Sequence, residues 1–170
     1  MLNERQKEVI LLQNVICFHN PDEINGYLSN WFLSDFVKNG ITFSSMEQYM
    51  MYQKAKLFCD LEIAEKILKT SNAGKIKAFG RSVKNYNDTI WNGTRQIIVY
   101  EGLLEKFRQN KELYEKLLAT KQCILAECAV QDKIWGIGLS MKDERRFDIN
   151  EWKGQNLLGF AIMSVREKLL

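Results

Sequence analysis

The 170-residue sequence has one proline and one histidine, and both scarcities limit what the chain can be. A single proline and ten scattered glycines leave no stretch that is typical of a flexible linker. His19 is the only histidine, and Cys17, Cys59, Cys123 and Cys128 follow none of the spacings that mark a zinc site. We therefore expect no metal site, no cofactor, and free thiols in a reducing cytoplasm.

Long apolar runs and a strong net charge are missing as well. No segment approaches the ~20 apolar residues that a membrane span requires, and residues 1–8 are too polar for a signal peptide. The net charge is only +3, and the basic residues are interspersed with acidic ones. This pattern argues against a protein that coats duplex nucleic acid but leaves room for a local basic pocket around one phosphate or pyrophosphate. No feature of the sequence indicates an oligomeric state.

What the sequence does contain is the composition of a globular protein. Hydrophobic residues make up 46% and charged residues 26% of the chain, and the length suits a single domain over residues 1–170. Hydrophobic spacing and turn residues predict an α+β fold that is mainly helical and has a small β-sheet. The predicted elements are a helix over 3–13, a strand over Val15–Phe18, a hairpin around Asn39 and Gly40, helices between 45 and 118, a strand over Ile124–Glu127 and a helix over 156–169.

The first candidate functional pair is Glu47 and Lys54. Ser44 precedes Glu47 by three residues, which is the spacing of a helix N-cap and its capping-box partner. On the helix that follows, the step from Glu47 to Lys54 covers two turns and about 10 Å, so both side chains point the same way. They could grip one ligand between them. The alternative is an ordinary solvated face, on which Glu47 serves only as the capping-box partner.

A second group is Asp132 and Trp135, which lead into Gly136-Ile137-Gly138. A carboxylate beside an aromatic side chain and two glycines suits a ligand cleft, because glycine permits close approach of the backbone and exposed amides can hold phosphate oxygens. The segment lacks the strand–turn–helix setting of a dinucleotide fingerprint. The alternative is a tight loop in which Trp135 fills the core.

Two further groups could bind a ligand. Trp91 and Arg95 are four residues apart on one helix face, where they could clamp a base and a phosphate; the alternative is an ordinary surface cation–π pair. Asn156 could cap the last helix, whose N-terminus would favour an anion. The alternative there is a cap followed by Gly159, which allows close helix packing.

Taken together and in order, these segments resemble the YbiA-like family, also called NADAR. The resemblance extends from about Asn25 to the end of the chain and leaves residues 1–24 as an N-terminal extension. The sequence has Gln48 where members often have His, and Lys121 where they often have Gly. The matching segments are Ser29-Asn30-Trp31-Phe32, Ser45 to Ala55, Gly80-Arg81, Trp91 with Arg95, Lys106-Phe107, Leu118 to Glu127, Asp132 to Leu139, and Trp152 to Gly159 with Met163 and Arg166.

The resemblance implies a cytoplasmic hydrolase that cleaves N-glycosidic bonds. It implies two substrate classes, which are phosphorylated ribosylamino-pyrimidine intermediates of riboflavin synthesis and ADP-ribose attached to guanine in nucleic acid. The expected partners are therefore a nucleotide-like small molecule or an ADP-ribosylated nucleic acid, with no membrane. The implied pocket comprises Asn30, Glu47, Lys54, Arg81, Trp91, Arg95, Asp132, Trp135 and Asn156, to which we add Gly136 and Gly138.

Cleavage of a ribosyl C–N bond needs an anion near the sugar and a proton donor near the base. Glu47 or Asp132 could supply the anion. Lys54 offers a second route, because a neutral amine could attack the ring-opened sugar and form a Schiff base, and the resemblance implies such a lysine. The catalytic candidates are therefore Lys54, Glu47 and Asp132. The alternatives are a non-catalytic module that binds ADP-ribose or a nucleotide, which would need neither Glu47 nor Lys54, and a plain interaction protein.

Overall fold

The structure is a computed structural model that describes residues 15–170. The helix predicted over residues 3–13 lies outside the described residues. The described chain divides into two compact units, one formed by Asn30–Glu115 and the other by residues 15–29 together with Lys116–Leu170. A continuous stretch of chain therefore builds the first unit, and the two segments that flank it in sequence build the second.

The predicted α+β, mainly helical fold is confirmed for residues 15–170. The four short strands form two sheets of two strands each. Short 3₁₀ helices cover Gly26–Leu28, Glu144–Phe147 and Ile149–Glu151. Among the helices of residues 15–170, none is long and apolar enough to cross a membrane. In chain order the elements are β1 (Val15–Phe18), β2 (Phe36–Lys38), β3 (Ile41–Phe43), α1 (Met46–Leu57), α2 (Leu61–Leu68), α3 (Ala73–Arg81), α4 (Asp88–Gln109), α5 (Lys111–Ala119), β4 (Ile124–Glu127) and α6 (Leu157–Leu169).

The predicted hairpin lies in the Asn30–Glu115 unit and is confirmed. Strands β2 and β3 pair antiparallel, with Phe36 opposite Phe43. Between them, Asn39 and Gly40 have φ angles of 52° and 76°, in the left-handed region that a tight hairpin turn requires and that these two residue types tolerate. Phe36 and Phe43 pack on Tyr49 of α1, with ring centroids 5.8 and 5.1 Å from that of the tyrosine.

Helix α1 begins one residue later than the sequence predicts. Its N-cap is Ser45, whose hydroxyl accepts a hydrogen bond from the Gln48 amide at 3.2 Å. Gln48 therefore holds the capping-box position, and its Oε1 accepts from the backbone N–H of Ser44 at 2.7 Å. The alternative that made Glu47 the capping-box partner of Ser44 is wrong.

Within its unit, α1 packs against α2, α3 and α4. Two glycines allow the close approach of these helices: a Cβ at Gly80 of α3 would clash with the Met51 side chain, and one at Gly102 of α4 would clash with the Tyr49 ring. The helix that carries both Glu47 and Lys54 is thus bordered by three others.

In the other unit, β1 and β4 pair parallel, from Val15 opposite Ile124 to Phe18 opposite Glu127, so both strand predictions are confirmed. Helix α6 packs on β4, where a Cβ at Gly159 would clash with the Leu125 carbonyl oxygen. Ile137 and Leu139 join the core of this unit with Cys17 and Cys128. The chain around Gly136–Gly138 is therefore anchored to the sheet.

A buried arginine ties α6 to the segment between α5 and β4. Arg166 is 4% exposed, and its Nη1 donates to the Thr120 hydroxyl at 2.7 Å and to the Cys123 carbonyl at 2.9 Å. Lys121, between these two acceptors, has a φ of 50° in the left-handed region. Glycine adopts that conformation without steric cost, so it would suit this position as well.

Candidate active site

Lys54 lies in the last turn of α1, and its half-buried amine has three close neighbours. Nζ donates a hydrogen bond to the Gly80 carbonyl oxygen at 2.8 Å. It lies 4.3 Å from the ring centroid of Tyr86 and 5.8 Å from that of Trp91. The amine is therefore enclosed by the end of α3, the segment before α4 and the first turn of α4.

Two helix ends create this setting. Carbonyl groups in the last turn of a helix lack partners within the helix and carry the negative end of the helix dipole. Gly80 is the second-last residue of α3, so its carbonyl attracts the ammonium group of Lys54. Trp91 lies in the first turn of α4, which Asn87 caps, and the indole is buried.

Burial lowers the pKa of Lys54, and the negative charge of Asp88 opposes part of that effect. A lysine with a lowered pKa has more neutral amine at neutral pH, and the neutral amine is the nucleophilic form. Burial therefore shifts the pKa of Lys54 in the direction that favours a nucleophilic amine.

Tyr86 and Asp88 belong to this site although no motif indicated them. The Tyr86 hydroxyl donates to Oδ1 of Asp88 at 2.7 Å, and Oδ2 of Asp88 accepts from Nδ2 of Asn92 at 3.0 Å. Phe58 packs edge-on against the Tyr86 ring, with centroids 5.3 Å apart. The sequence feature that could have indicated them is their place on either side of Asn87, the cap of α4, because a capped helix end holds neighbouring residues in fixed positions.

Glu47 and Asn30 meet at the other end of α1. The Glu47 amide donates to the Asn30 carbonyl at 2.8 Å, and both residues are buried. Glu47 lies in the first helical turn, where the helix dipole stabilises a carboxylate. Oδ1 of Asn30 has no hydrogen-bond partner among residues 15–170. An unpartnered buried acceptor is costly unless a bound molecule supplies a donor, so Asn30 suits a ligand hydroxyl or amino group.

Two predicted arginines lie on the helices that border Lys54. Arg81 directly follows Gly80 at the end of α3 and is exposed. Arg95 lies one turn after Trp91 on α4, and its positive charge acts on Tyr86. Lys54, Trp91 and the two arginines therefore bring positive charge and an aromatic ring to the ends of α3 and α4.

Asp132, in the other unit, closes a turn. Its Oδ1 accepts from the backbone amides of Ile134 and Trp135 at 3.0 and 2.8 Å. These bonds orient the carboxylate and use its Oδ1 oxygen. A ligand that contacted Asp132 would therefore bind at Oδ2. Trp135 is half-buried, and its carbonyl oxygen accepts a hydrogen bond from the Leu158 amide at 3.1 Å.

The glycines of the Gly-x-Gly segment have structural roles. A Cβ at Gly136 would lie 2.7 Å from the Glu127 carbonyl oxygen, and Gly138 has a φ of +70°. The Ile137 amide between them donates to the same Glu127 carbonyl at 2.8 Å and is not available to a phosphate oxygen. Packing against β4 therefore explains Gly136, whereas the left-handed backbone and the close approach of Lys153 explain Gly138.

Asn156 holds the N-cap position of α6, as the sequence predicts, but its side chain makes no cap hydrogen bond to the helix. Its backbone lies in the left-handed region, with φ 52°, and its side chain points to β4. There Nδ2 donates to the Leu125 carbonyl at 2.8 Å, and Oδ1 accepts from the Glu127 amide at 3.1 Å. Because Asn156 is fully buried and both ends of its amide are used, it holds Glu127 in place.

Similar proteins carry names that bear on this site. An N-glycosidase of Acanthamoeba polyphaga mimivirus is 43% identical over 145 residues, which cover 82% of this chain and 85% of that protein. A riboflavin biosynthesis protein of Vibrio vulnificus is 30% identical over 159 residues, which cover 94% of this chain and 40% of that longer protein. The N-glycosidase YbiA of Escherichia coli is 28% identical over 94% of this chain and 91% of its own length.

A solved structure and a family model agree with these relatives. The NMR structure of the Escherichia coli protein YbiA matches with a TM-score of 0.76 and 28% identity, covering 92% of this chain and 84% of that one. The family model described as the NADAR domain matches residues 17–170, which include residues 17–24 ahead of the segments that carried the resemblance. The chain therefore belongs to the NADAR domain family.

Proposed function

We propose that the chain is an N-glycosidase that separates a phosphate-bearing ribosyl group from a nitrogen base, with Lys54 as its nucleophile. The observation that carries the proposal is the half-buried amine of Lys54, which is enclosed by the Gly80 carbonyl, Tyr86 and Trp91. The enzyme class is supported by the names of relatives, including the N-glycosidase at 43% identity.

The proposed reaction consumes one water molecule and passes through a covalent intermediate. The neutral Lys54 amine adds to C1 of the ring-opened sugar, and the bond from C1 to the base nitrogen breaks as that nitrogen takes a proton. The resulting Schiff base joins Nζ to C1. Water then adds to C1, the C1–Nζ bond breaks, and the sugar leaves while the amine is regenerated.

Two carboxylates are proposed to assist. Glu47 is the first, because in the first turn of α1 the helix dipole favours a carboxylate, which would stabilise positive charge on the sugar and exchange protons. Asp132 is the second and acts through Oδ2, because Oδ1 already closes a turn. Asn30 is proposed to accept a hydrogen bond from the substrate at Oδ1.

The proposed substrate is either a ribosylamino-pyrimidine phosphate of riboflavin synthesis or ADP-ribose on guanine. Trp91 and Trp135 are proposed to contact the base or sugar, and Arg81 and Arg95 to bind phosphate, since guanidinium groups pair with phosphate oxygens in two-point contacts. Similarity to a riboflavin biosynthesis protein supports the first class. The local basic groups suit a phosphate or a pyrophosphate equally.

The test is to incubate the pure protein with both substrate classes and to identify the released sugar by mass spectrometry. Release from one class and not from the other assigns the substrate. Calorimetry with ADP-ribose runs beside the assay, because binding without release from either class would overturn the proposal and identify a binding module. If the protein neither binds ADP-ribose nor releases sugar, the result would overturn the proposal and favour a plain interaction protein.

A further inference from the structure

We propose that Tyr86 is a positioning residue for Lys54, and that the Tyr86–Asp88 pair favours the ammonium form of this amine and so offsets part of the effect of burial. The inference rests on the proposed function in one respect, which is that Lys54 is the group that reacts. Neither Tyr86 nor Asp88 has a step of its own in the reaction proposed above.

The geometry forms a chain of contacts that ends at the amine. Asn92 donates to one oxygen of Asp88, the Tyr86 hydroxyl donates to the other at 2.7 Å, and the Tyr86 ring faces Nζ of Lys54 at 4.3 Å. Phe58 supports the ring from another side. Each link fixes the next one, so the ring cannot turn away from the amine without breaking the bond to Asp88.

The pair favours the ammonium form of Lys54 in two ways. The face of an aromatic ring attracts a cation, and a phenol that donates to a carboxylate has a more electron-rich ring. The carboxylate of Asp88 also attracts the ammonium directly and opposes the effect of burial. Burial and the bond to Asp88 raise the pKa of Tyr86, so the phenol keeps the proton that it donates.

Other charged groups lie on the elements around Lys54, but Asp88 is the one within residues 15–170 whose charge acts on its pKa. The charge of Arg95 acts on Tyr86 and lowers the pKa of the phenol. The titratable and charged side chains of these elements are Glu47, Tyr49, Tyr52 and Lys56 on α1, Lys75, Lys77 and Arg81 on α3, Lys84 and Tyr86 before α4, and Asp88, Arg95, Tyr100, Glu101, Glu105, Lys106 and Arg108 on α4.

The test measures the protonation of Lys54 without any substrate. Trace acetylation with acetic anhydride is followed by mass spectrometry across a pH series, and Lys111, whose side chain is 90% exposed, is the internal reference. Asp88→Asn and Tyr86→Leu should each move the labelling midpoint of Lys54 to lower pH by about half a unit. Tyr86→Phe keeps the ring and should move it less.

The shape of the titration separates positioning from simple exposure. A variant that only opens access to the amine raises the labelling plateau at high pH but leaves the midpoint in place. Tyr86 is 42% exposed, so its replacement removes little core packing, and thermal unfolding of each variant checks the fold. Unchanged midpoints in folded Asp88→Asn and Tyr86→Leu proteins would overturn the inference.

Failure of the proposed function gives a different result. If the wild type releases no sugar from either substrate class while the midpoints move as expected, the N-glycosidase proposal falls and the control of Lys54 by Tyr86 stands. If sugar is released and the midpoints do not move, only the inference about Tyr86 falls.

Discussion

Among single residues, Lys54 has the surroundings that distinguish a reactive lysine from a solvated one. Lys56, two residues along the same helix, is exposed and offers a matched comparison. The two lysines share a helix and a charge but differ in burial, so a difference in their effects on turnover reports the site and not the helix.

Replacement of Lys54 by alanine should reduce sugar release by about 10³-fold or more, because no other group then forms the Schiff base. Lys56→Ala should leave turnover close to that of the wild type. Borohydride added during turnover should leave an adduct on the peptide that contains Lys54. Near-normal release by a folded Lys54→Ala protein would rule out the lysine route.

Lys106 is a second unusual lysine, and it affects stability. It is fully buried beside the rings of Phe32 and Phe107, and burial lowers its pKa to about 7. A lysine in the unfolded chain has a pKa of about 10.4, so between these values the unfolded state binds more protons than the folded state. The contribution of Lys106 to the free energy of unfolding therefore rises with pH between these two pKa values.

The pH dependence of the unfolding free energy can be compared between the wild type and Lys106→Met, which keeps the apolar bulk and removes the charge. Between about pH 7 and about pH 9 the wild type should gain about 2 kcal/mol of unfolding free energy relative to the variant. Urea unfolding of both proteins across this range gives the difference. A difference that stays constant with pH would contradict a lowered pKa for Lys106.

Residue-level prediction from sequence succeeded where spacing on one helix sufficed. The seven-residue step from Glu47 to Lys54 correctly placed both on α1. Asn156 was correctly placed at the start of α6, but its side chain does not cap the helix because β4, which is distant in sequence, supplies its partners. Tyr86 and Asp88 were missed for a related reason, since their importance comes from Lys54 on another helix.

At the level of helices and strands, local signals predicted most of what the structure shows. The Asn39-Gly40 turn specified the hairpin, and Asp60 and Asn72 cap α2 and α3. The start of α1 was displaced by one residue because Ser44 and Ser45 are both suitable caps. The choice depends on Gln48, which accepts from Ser44 and donates to the carbonyls of Ile67, in the last turn of α2, and of Thr70, just after it.

Substitutions at two glycines of α4 test how closely this helix packs, because they are expected to change the free energy of unfolding in opposite directions. Gly102→Ala should lower the free energy of unfolding by about 1–3 kcal/mol, because the new methyl group meets the Tyr49 ring. At Gly93 a methyl group would meet no atom within 4 Å. Gly93→Ala should therefore raise the free energy of unfolding by about 1 kcal/mol, because alanine has the higher helix propensity. Denaturant unfolding of both variants measures the pair; stabilisation by both would contradict close packing at Gly102.

For the molecule as a whole, the net charge of +3 bears on the choice of substrate. The chain lacks the charge for a long track of phosphate contacts, so an ADP-ribosylated nucleic acid should be held mainly at its modified base. The fold class followed from composition and periodicity, whereas the parallel pairing of β1 with β4 did not. No local signal links strands that lie so far apart in the sequence.

The salt dependence of activity follows from this charge. Raising salt from about 50 to about 200 mM should reduce the apparent affinity for an ADP-ribosylated single strand by no more than about sevenfold, the effect of two released counterions, one each for Arg81 and Arg95. The corresponding free small molecule serves as the control. A loss of a hundredfold or more, equivalent on the same basis to about five contacts, would indicate an extended phosphate track.

The pairing of Val15–Phe18 with Ile124–Glu127 also has a consequence for synthesis on the ribosome. The first strand leaves the exit tunnel long before its partner has been translated, and it carries unsatisfied backbone groups until then. The intervening segment Asn30–Glu115 forms its own compact unit and can fold during this delay. The unit that contains β1 is therefore completed only after residues 30–115 have been synthesised, although β1 itself precedes them.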